Sequence, residues 1–331
     1  MSGSAAQASV VLEVEDLQTV IRQGDRELPV VRGVSFEVRA GEAVALVGES
    51  GSGKSLTALS VMGLLPSAAQ VSGGSLRLAG TDLGRLTEIQ RRRLRGAEIA
   101  MIYQDPMTSL NPLMRVGAQV VEGLQAHGMR GADARARAVE TLGEVGLQRP
   151  ERTARAYPYE LSGGQRQRVM IAMAVAMKPK VLIADEPTTA LDVTIQQQVL
   201  ALVDDLRRAT GMALVWITHD LGVVARVAER VLVMYAGRVV ESGTTRDLYR
   251  APQHPYTAGL LGSIPPMRGI ERPPLPQIGG APPDLTVRPV GCSFHPRCPQ
   301  RIGRCVEHEP ALEPRGESLA ACWVPRDRWV S

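Results

Sequence analysis

Short apolar runs alternate with stretches of helical spacing along most of this chain. Residues 10–14 and 34–38 are predicted strands, joined across a polar turn at Gly24-Asp25. Residues 44–47, 181–184, 213–217 and 231–234 are continuous apolar runs, short enough to be strands buried on both faces. Shorter strands are predicted at 75–78 and at 100–103, the second entering a loop at Gln104. Helices are predicted over 54–65 (stopped by Pro66), 88–95 (a basic, exposed segment), 167–177, 194–209 and 221–229. From 113 to 178 the pattern is helical, with Val139, Leu142 and Val145 at helical spacing. Strands alternating with helices imply an α/β protein with a mainly parallel sheet covered on both faces, and residues 106–178 form a helical insertion in it.

Composition changes this picture at the C-terminal end. Residues 265–289 hold eight prolines, a density that excludes regular pairing and predicts a stiff, extended connector. The expected organisation is therefore a disordered start at 1–9, one α/β domain over 10–261, and a proline-rich connector with a cysteine-rich extension over 262–331. Aromatics are only 3% of the 331 residues, so aliphatic side chains are expected to fill the core. The net charge of +4 comes without a basic block, which argues against a nucleic-acid partner. No stretch nears the ~20 apolar residues that span a bilayer. The N-terminus MSGSAAQASV lacks the basic start and apolar core of a signal peptide. The chain is expected to fold in the cytosol, with any membrane role exerted through partner subunits.

Residues 48–55 read Gly-Glu-Ser-Gly-Ser-Gly-Lys-Ser, a G-x-x-x-x-G-K-S loop set between a predicted strand and a predicted helix. Glycines at 48, 51 and 53 let the backbone fold tightly and aim N–H groups at oxyanions, and the helix start adds about half a positive charge there. Lys54 would reach the β- and γ-phosphates, and the Ser55 hydroxyl would ligate Mg²⁺. A chance glycine-rich turn would need neither the strand before nor the helix after. The strand at 181–184 ends in Asp185 and Glu186, placed to hold a metal shell and to polarise an attacking water. Ser162-Gly163-Gly164-Gln165 precedes a helical run and forms a second anion-receptive helix start, although Ser162 is equally a simple N-cap.

The order of phosphate loop, Gln104, LSGGQ, Asp185-Glu186 and His219 resembles the nucleotide-binding subunit of an ATP-binding-cassette (ABC) transporter, over roughly residues 10–250. The resemblance implies the P-loop NTPase fold of that family, with a core sheet, an antiparallel β subdomain and a helical subdomain. It implies that Gly48, Glu49, Ser50, Gly51, Ser52, Gly53, Lys54 and Ser55, with Thr57 beyond them, bind ATP. Gln104 would sense the γ-phosphate and Mg²⁺ beside the contact with the membrane subunit. Ser55 and Asp185 would share the Mg²⁺, Glu186 would be the catalytic glutamate and His219 the switch histidine. Ala190-Leu191-Asp192 would be the D-loop. Ser162 to Gln165 would bind the γ-phosphate held by a second ATPase subunit, identical or different, paired head to tail. Where the family usually stacks an aromatic on adenine, this chain carries Ile21. Two permease subunits and an extracytoplasmic solute-binding protein would complete the complex, placing the chain peripherally on the cytoplasmic face of the membrane. Rival classes are a non-transport ATPase, an exporter ATPase and a non-hydrolysing regulator. They are disfavoured in turn by the lack of a coiled-coil insertion or second cassette, by the tail, and by intact Glu186 and His219.

All four cysteines lie in the tail, as Cys292, Cys298, Cys305 and Cys322. Clustered thiols in a cytosolic chain favour metal over disulfides, yet the spacing lacks the close pairs of zinc sites. Four soft ligands suit an iron–sulfur cluster, with His295 and His308 as alternatives, and from spacing alone inert thiols stay equally open. His254-Pro255-Tyr256-Thr257 and the segment Gly291 to Pro299 resemble the C-terminal extension of oligopeptide/dipeptide importer ATPases. That resemblance implies a 4Fe-4S cluster on the four cysteines, with Zn²⁺ the alternative, and import of oligo- or dipeptides, with nickel complexes or glutathione-like solutes as the alternative.

Overall fold

The computed structural model describes residues 8–104, 109–189, 192–264, 277–284 and 288–329. Along the chain the strands are β1 Val10–Gln23, β2 Arg26–Arg39, β3 Ala43–Val47, β4 Ala69–Leu78, β5 Thr81–Asp82, β6 Ile99–Ile102, β7 Val181–Asp185, β8 Ala213–Thr218, β9 Arg230–Tyr235, β10 Arg238–Thr244, β11 Glu313–Arg315 and β12 Ser318–Ala320. The helices are α1 Lys54–Met62, α2 Glu88–Leu94, α3 Val116–Ala126, α4 Gly131–Glu144, α5 Pro150–Arg155, α6 Gly163–Val175, α7 Val193–Thr210, α8 Leu221–Val227, α9 Thr245–Arg250, α10 Pro255–Gly262 and α11 Gly303–Glu307.

The chain divides into two compact units. One comprises Met1–Leu12, Glu37–Glu42 and Arg77–Val215, and the other comprises Glu13–Phe36, Ala43–Leu76 and Trp216–Ser331. The first unit contains the order β8-β7-β6, with β6 and β7 parallel from Ile99↔Val181 to Ile102↔Ala184. It also carries α3 to α6, the expected helical insertion. In α4 the buried stripe is Ala134, Ala138, Thr141 and Leu142, so Val139 stands at its edge rather than its centre.

The second unit contains the order β11-β12-β10-β9-β3-β8. Its β3 and β9 run parallel and β9, β10, β12 and β11 continue antiparallel. The expected parallel pairing thus holds at the buried strands. The antiparallel extension comes partly from the tail, where β12 pairs β10 at Glu241↔Ala320. The sequence signal missed β11 and β12 because three-residue strands carry no period.

A separate four-stranded sheet has the order β2-β1-β4-β5. Here the strands far outrun the predicted 10–14, 34–38 and 75–78, because polar positions alternate with buried ones where only one face is covered. Helix α1 stops at Gly63, whose left-handed backbone donates to Leu59 and Ser60 carbonyls, before Pro66 can act.

Aliphatic residues fill most of the core, as composition required. The exception is local. Tyr235, Tyr256 and Phe294 gather with ring centroids 4.6–5.4 Å apart, and this cluster seats the tail on the second unit. No helix among the described residues is long and apolar enough to cross a membrane.

Candidate nucleotide site and cysteine tail

Every residue of β3 is buried, so the strand fixes the point where the glycine-rich loop begins. At Gly48 a Cβ would meet the Met234 carbonyl at 2.2 Å, which only glycine tolerates. The loop closes through Ser52 N–H to the Glu49 carbonyl, 3.2 Å. Gly53 is the N-cap of α1, in left-handed backbone and with no side chain to cap the helix. Lys54, 5% exposed, donates from Nζ to the carbonyls of Gly48 (2.8 Å) and Glu49 (2.9 Å). The buried Ser52 hydroxyl has no partner among the described residues. A glycine-capped helix start, a buried ammonium and the unsatisfied Ser52 hydroxyl fit a phosphate chain. Thr57 spends its hydroxyl on the Gly53 carbonyl, 2.9 Å away, and is buried. Ser55 is half-buried on the first turn of α1. His219, in the same unit, is exposed after β8, and Asp220 caps α8 beside it. Ile21 lies half-exposed on β1.

In the other unit, Asp185 ends the buried strand β7 and is 5% exposed. Its hard carboxylate and the Ser55 hydroxyl are the donor type Mg²⁺ takes. Glu186 follows in left-handed backbone, φ 45°, a conformation that costs a non-glycine residue about 1 kcal/mol. Its carboxylate accepts from the Thr189 hydroxyl (3.0 Å) and from Gln104 Nε2 (3.2 Å). Gln104 and Glu186, 82 residues apart in sequence, therefore meet directly. Ser162 and Gln165 form a reciprocal capping box at the start of α6: Gln165 N–H donates to Ser162 Oγ, and Ser162 N–H to Gln165 Oε1. Gly163 is exposed, and a Cβ on Gly164 would touch Ile195 at 3.0 Å. Asp192 caps α7 through Ile195 N–H, while Ala190 and Leu191 lie outside the described residues.

The HPYT segment proves architectural. The buried Glu241 carboxylate accepts from the N–H groups of Gln253 (2.7 Å) and His254 (2.9 Å). His254 Nδ1 in turn accepts from Tyr256 N–H, capping α10. Burial pushes His254 down to about 3, so the ring stays neutral and keeps that acceptor. Farther on, Cys292 and Cys298 are pushed up, to about 11 and about 12, by burial first, and Cys322 is raised for the same reason. Each also feels the other cysteines' charge, while backbone hydrogen bonds at Phe294, Gln300 and Val324 favour the thiolates of Cys292, Cys298 and Cys322 respectively. All four cysteines are free. Four soft donors of the type a thiolate-bound metal takes lie in this tail, with three of their thiols held in the protonated form by burial. Among the described residues no three donors converge as a metal-holding set. His295 Nδ1 lies against the Cys292 carbonyl, and His308 is exposed.

The ABC transporter family profile matches residues 31–189, and the oligopeptide/dipeptide transporter C-terminal region matches 240–305. A probable peptide ABC transporter ATP-binding protein of Sinorhizobium fredii is 50% identical over 323 residues, 97% of this chain and 96% of its own length. The chain belongs to the ATP-binding proteins of the oligopeptide/dipeptide ABC transporter family. A dipeptide transport ATP-binding protein of Bacillus subtilis is 48% identical over 96% of both chains. An oligopeptide transport ATP-binding protein of Mycobacterium tuberculosis is 51% identical, and this chain spans 52% of its length. Among solved structures, the dimeric bacterial ABC cassette MJ0796 has a TM-score of 0.63 at 29% identity, covering 71% of this chain and 99% of its own. The fold is the ABC nucleotide-binding domain.

Three features of this family member went unread in the sequence. The capping box was available as S-x-x-Q. The left-handed Glu186 carries no signal, since Glu is not a residue that marks positive φ. The third is an ion pair, Arg297 to Glu49, spanning 248 positions, which no local pattern reveals.

Proposed function

We propose that this chain is the ATP-hydrolysing subunit that powers import of oligo- or dipeptides through a membrane ABC transporter. The observation that carries the reading is Glu186. This carboxylate follows a buried strand, is held by Gln104 and Thr189 in a strained backbone, and belongs to a chain similar to peptide-transport ATP-binding proteins over nearly its whole length. Gly48 to Ser55 bind the phosphates, with Lys54 supplying the cation. Ser55, Asp185 and Gln104 are the residues that would hold Mg²⁺, which would neutralise charge on the phosphates. Glu186 orients and accepts a proton from the attacking water, and exposed His219 contacts the γ-phosphate. Ser162 to Gln165 serve the nucleotide of a second cassette. Two permease subunits and an extracytoplasmic binding protein complete the complex, and the chain sits peripherally at the cytoplasmic face.

The reading extends to the tail. Cys292, Cys298, Cys305 and Cys322 would hold a 4Fe-4S cluster that ties the extension together, a reading supported by the soft donor type of the four side chains. Iron and labile sulfide in the anaerobically purified chain support this, and zinc in their place refutes it.

Glu186→Gln tests the catalytic reading in the assembled complex. ATP turnover falls by about two to three orders of magnitude while ATP binding persists, because the substitution removes the base and leaves the hydrogen-bonding shape. Unchanged turnover refutes the assignment.

A further inference from the structure

Glu49 occupies one of the free positions of the phosphate loop, yet its polar groups meet partners on several sides. Its carbonyl accepts from Lys54 Nζ (2.9 Å) and from Ser52 N–H (3.2 Å), both within the loop. Its N–H donates to the Tyr256 hydroxyl at 2.8 Å. Its carboxylate takes both arms of the Arg297 guanidinium, at 2.6 and 2.9 Å. Tyr256 belongs to the HPYT helix start, and Arg297 ends the short turn His295–Arg297 between Cys292 and Cys298. The extension and the helix before it therefore grip the same residue whose carbonyl anchors the lysine.

Arg297 is built to hold that grip. Its side chain is 5% exposed, and it also donates to the carbonyls of Gly279 (2.9 Å) and Ile278 (3.2 Å) and to the Tyr235 hydroxyl (3.3 Å). A bidentate guanidinium–carboxylate pair fixes orientation as well as distance, and a lysine cannot reproduce it. Pro282, Pro283 and Arg288 of the tail line a small cleft together with Glu49, Ser50 and Ser52 of the loop.

We propose that Arg297 is a positioning residue for the phosphate loop. Through Glu49 it fixes the peptide that anchors Lys54, and the C-terminal extension thereby sets the affinity of the nucleotide site. The proposal rests on residues 48–55 being that site. A turn of the Glu49 peptide would move the lysine's acceptor and re-aim the neighbouring N–H groups, weakening phosphate binding without touching the hydrolytic carboxylate in the other unit.

The test is a double-substitution cycle on the full chain, titrated with Mg²⁺ and a fluorescent N-methylanthraniloyl ATP, with thermal melting alongside. Arg297→Ala raises the Kd about ten-fold, because one partner of a desolvated pair is left alone. Arg297→Lys recovers part of the loss, and Glu49→Gln raises the Kd similarly. Adding Arg297→Ala to Glu49→Gln costs nothing further, and in the assembled complex Arg297→Ala alone raises KM for ATP while kcat stays within about two-fold. A Kd within two-fold of wild type for Arg297→Ala, at any melting temperature, overturns the proposal and leaves a mere structural tie. Effects that multiply in the double variant overturn it too. Should Arg297→Ala not fold, Arg297→Lys and Glu49→Gln carry the same cycle. A wild-type chain that binds no nucleotide overturns the reading of the site itself, and the clamp with it.

Discussion

Two helices of this chain start on glycine-rich turns that look alike in sequence, and their hydrogen bonding differs. Helix α1 begins after Gly53, an N-cap without a side chain, with Lys54 folded over the loop's own carbonyls. Helix α6 begins after Ser162, whose hydroxyl and N–H are both spent on Gln165. The first start is prepared for an anion in the single chain. The second satisfies itself and must exchange an internal bond to receive one. The proposed division of labour, in which each cassette binds nucleotide with its own loop and offers α6 only to a partner's nucleotide, rests on this contrast. Glycine at a helix start is thus not a ligand signal in itself. The absence of a capping side chain is the informative part.

The largest break in this comparison comes from the open start. Lys54→Ala removes the one buried ammonium of the loop, and a charge-assisted contact to phosphate is lost with it. The isolated chain should lose about two orders of magnitude in ATP affinity, about 3 kcal/mol. Isothermal titration in the presence of Mg²⁺ measures it. An affinity within a factor of three of wild type would mean that the α1 start does not depend on its lysine, and the contrast with α6 would lose its meaning.

A third helix start sharpens the comparison through pH. Helix α10 is capped by neutral His254, which accepts Tyr256 N–H. Its proton affinity is depressed to about 3 in the folded chain, so His254 contributes full stability above its ordinary value near 6.5. Below that, the unfolded chain takes a proton that the folded chain cannot, and stability falls until about pH 3. At pH 5 the loss is on the order of 2 kcal/mol. The buried Glu241 facing His254 has the opposite sign. Its carboxyl is raised by burial, so its contribution is complete below the ordinary carboxylate range and is lost as pH rises through the elevated value. His254→Asn keeps an acceptor and removes the titration. The wild type should therefore lose stability relative to His254→Asn between pH 6.5 and 5, by denaturant midpoints. Parallel curves would show that this cap is not titrating.

What was legible in the residues follows how local each signal is. Gly48 to Ser55, Asp185-Glu186 and the buried strands around them are contiguous motifs whose chemistry needs those residue types at that spacing, and the fold class follows from them. The one-sided strands β1, β2 and β4 were read at a fraction of their length, because half of each faces solvent and carries no apolar run. The architectural role of HPYT was hidden for a different reason. The bonds that join His254 to Tyr256 and Glu241 run through backbone N–H groups, which every residue shares. Arg297 was invisible because its meaning is tertiary: an arginine between two cysteines is a solvated charge until the fold brings Glu49 to it.

The smallest effect belongs to the self-satisfied start. Ser162→Ala removes the hydroxyl that accepts Gln165 N–H and leaves one first-turn donor open, costing about 1 kcal/mol of stability. In the isolated chain this substitution should leave ATP affinity unchanged, since the α1 start makes no use of it. In the paired complex, turnover should fall together with the affinity of the pair for each other in the presence of ATP, because the hydroxyl is then wanted by the opposite nucleotide. Ser162→Thr, which keeps a capping hydroxyl, should restore the stability and most of the turnover. The informative result is the split between the two settings. If Ser162→Ala weakened ATP binding by the lone chain as much as it weakened the pair, the α6 start would be serving its own chain's nucleotide, and the contrast between an open and a closed helix start would have to be redrawn.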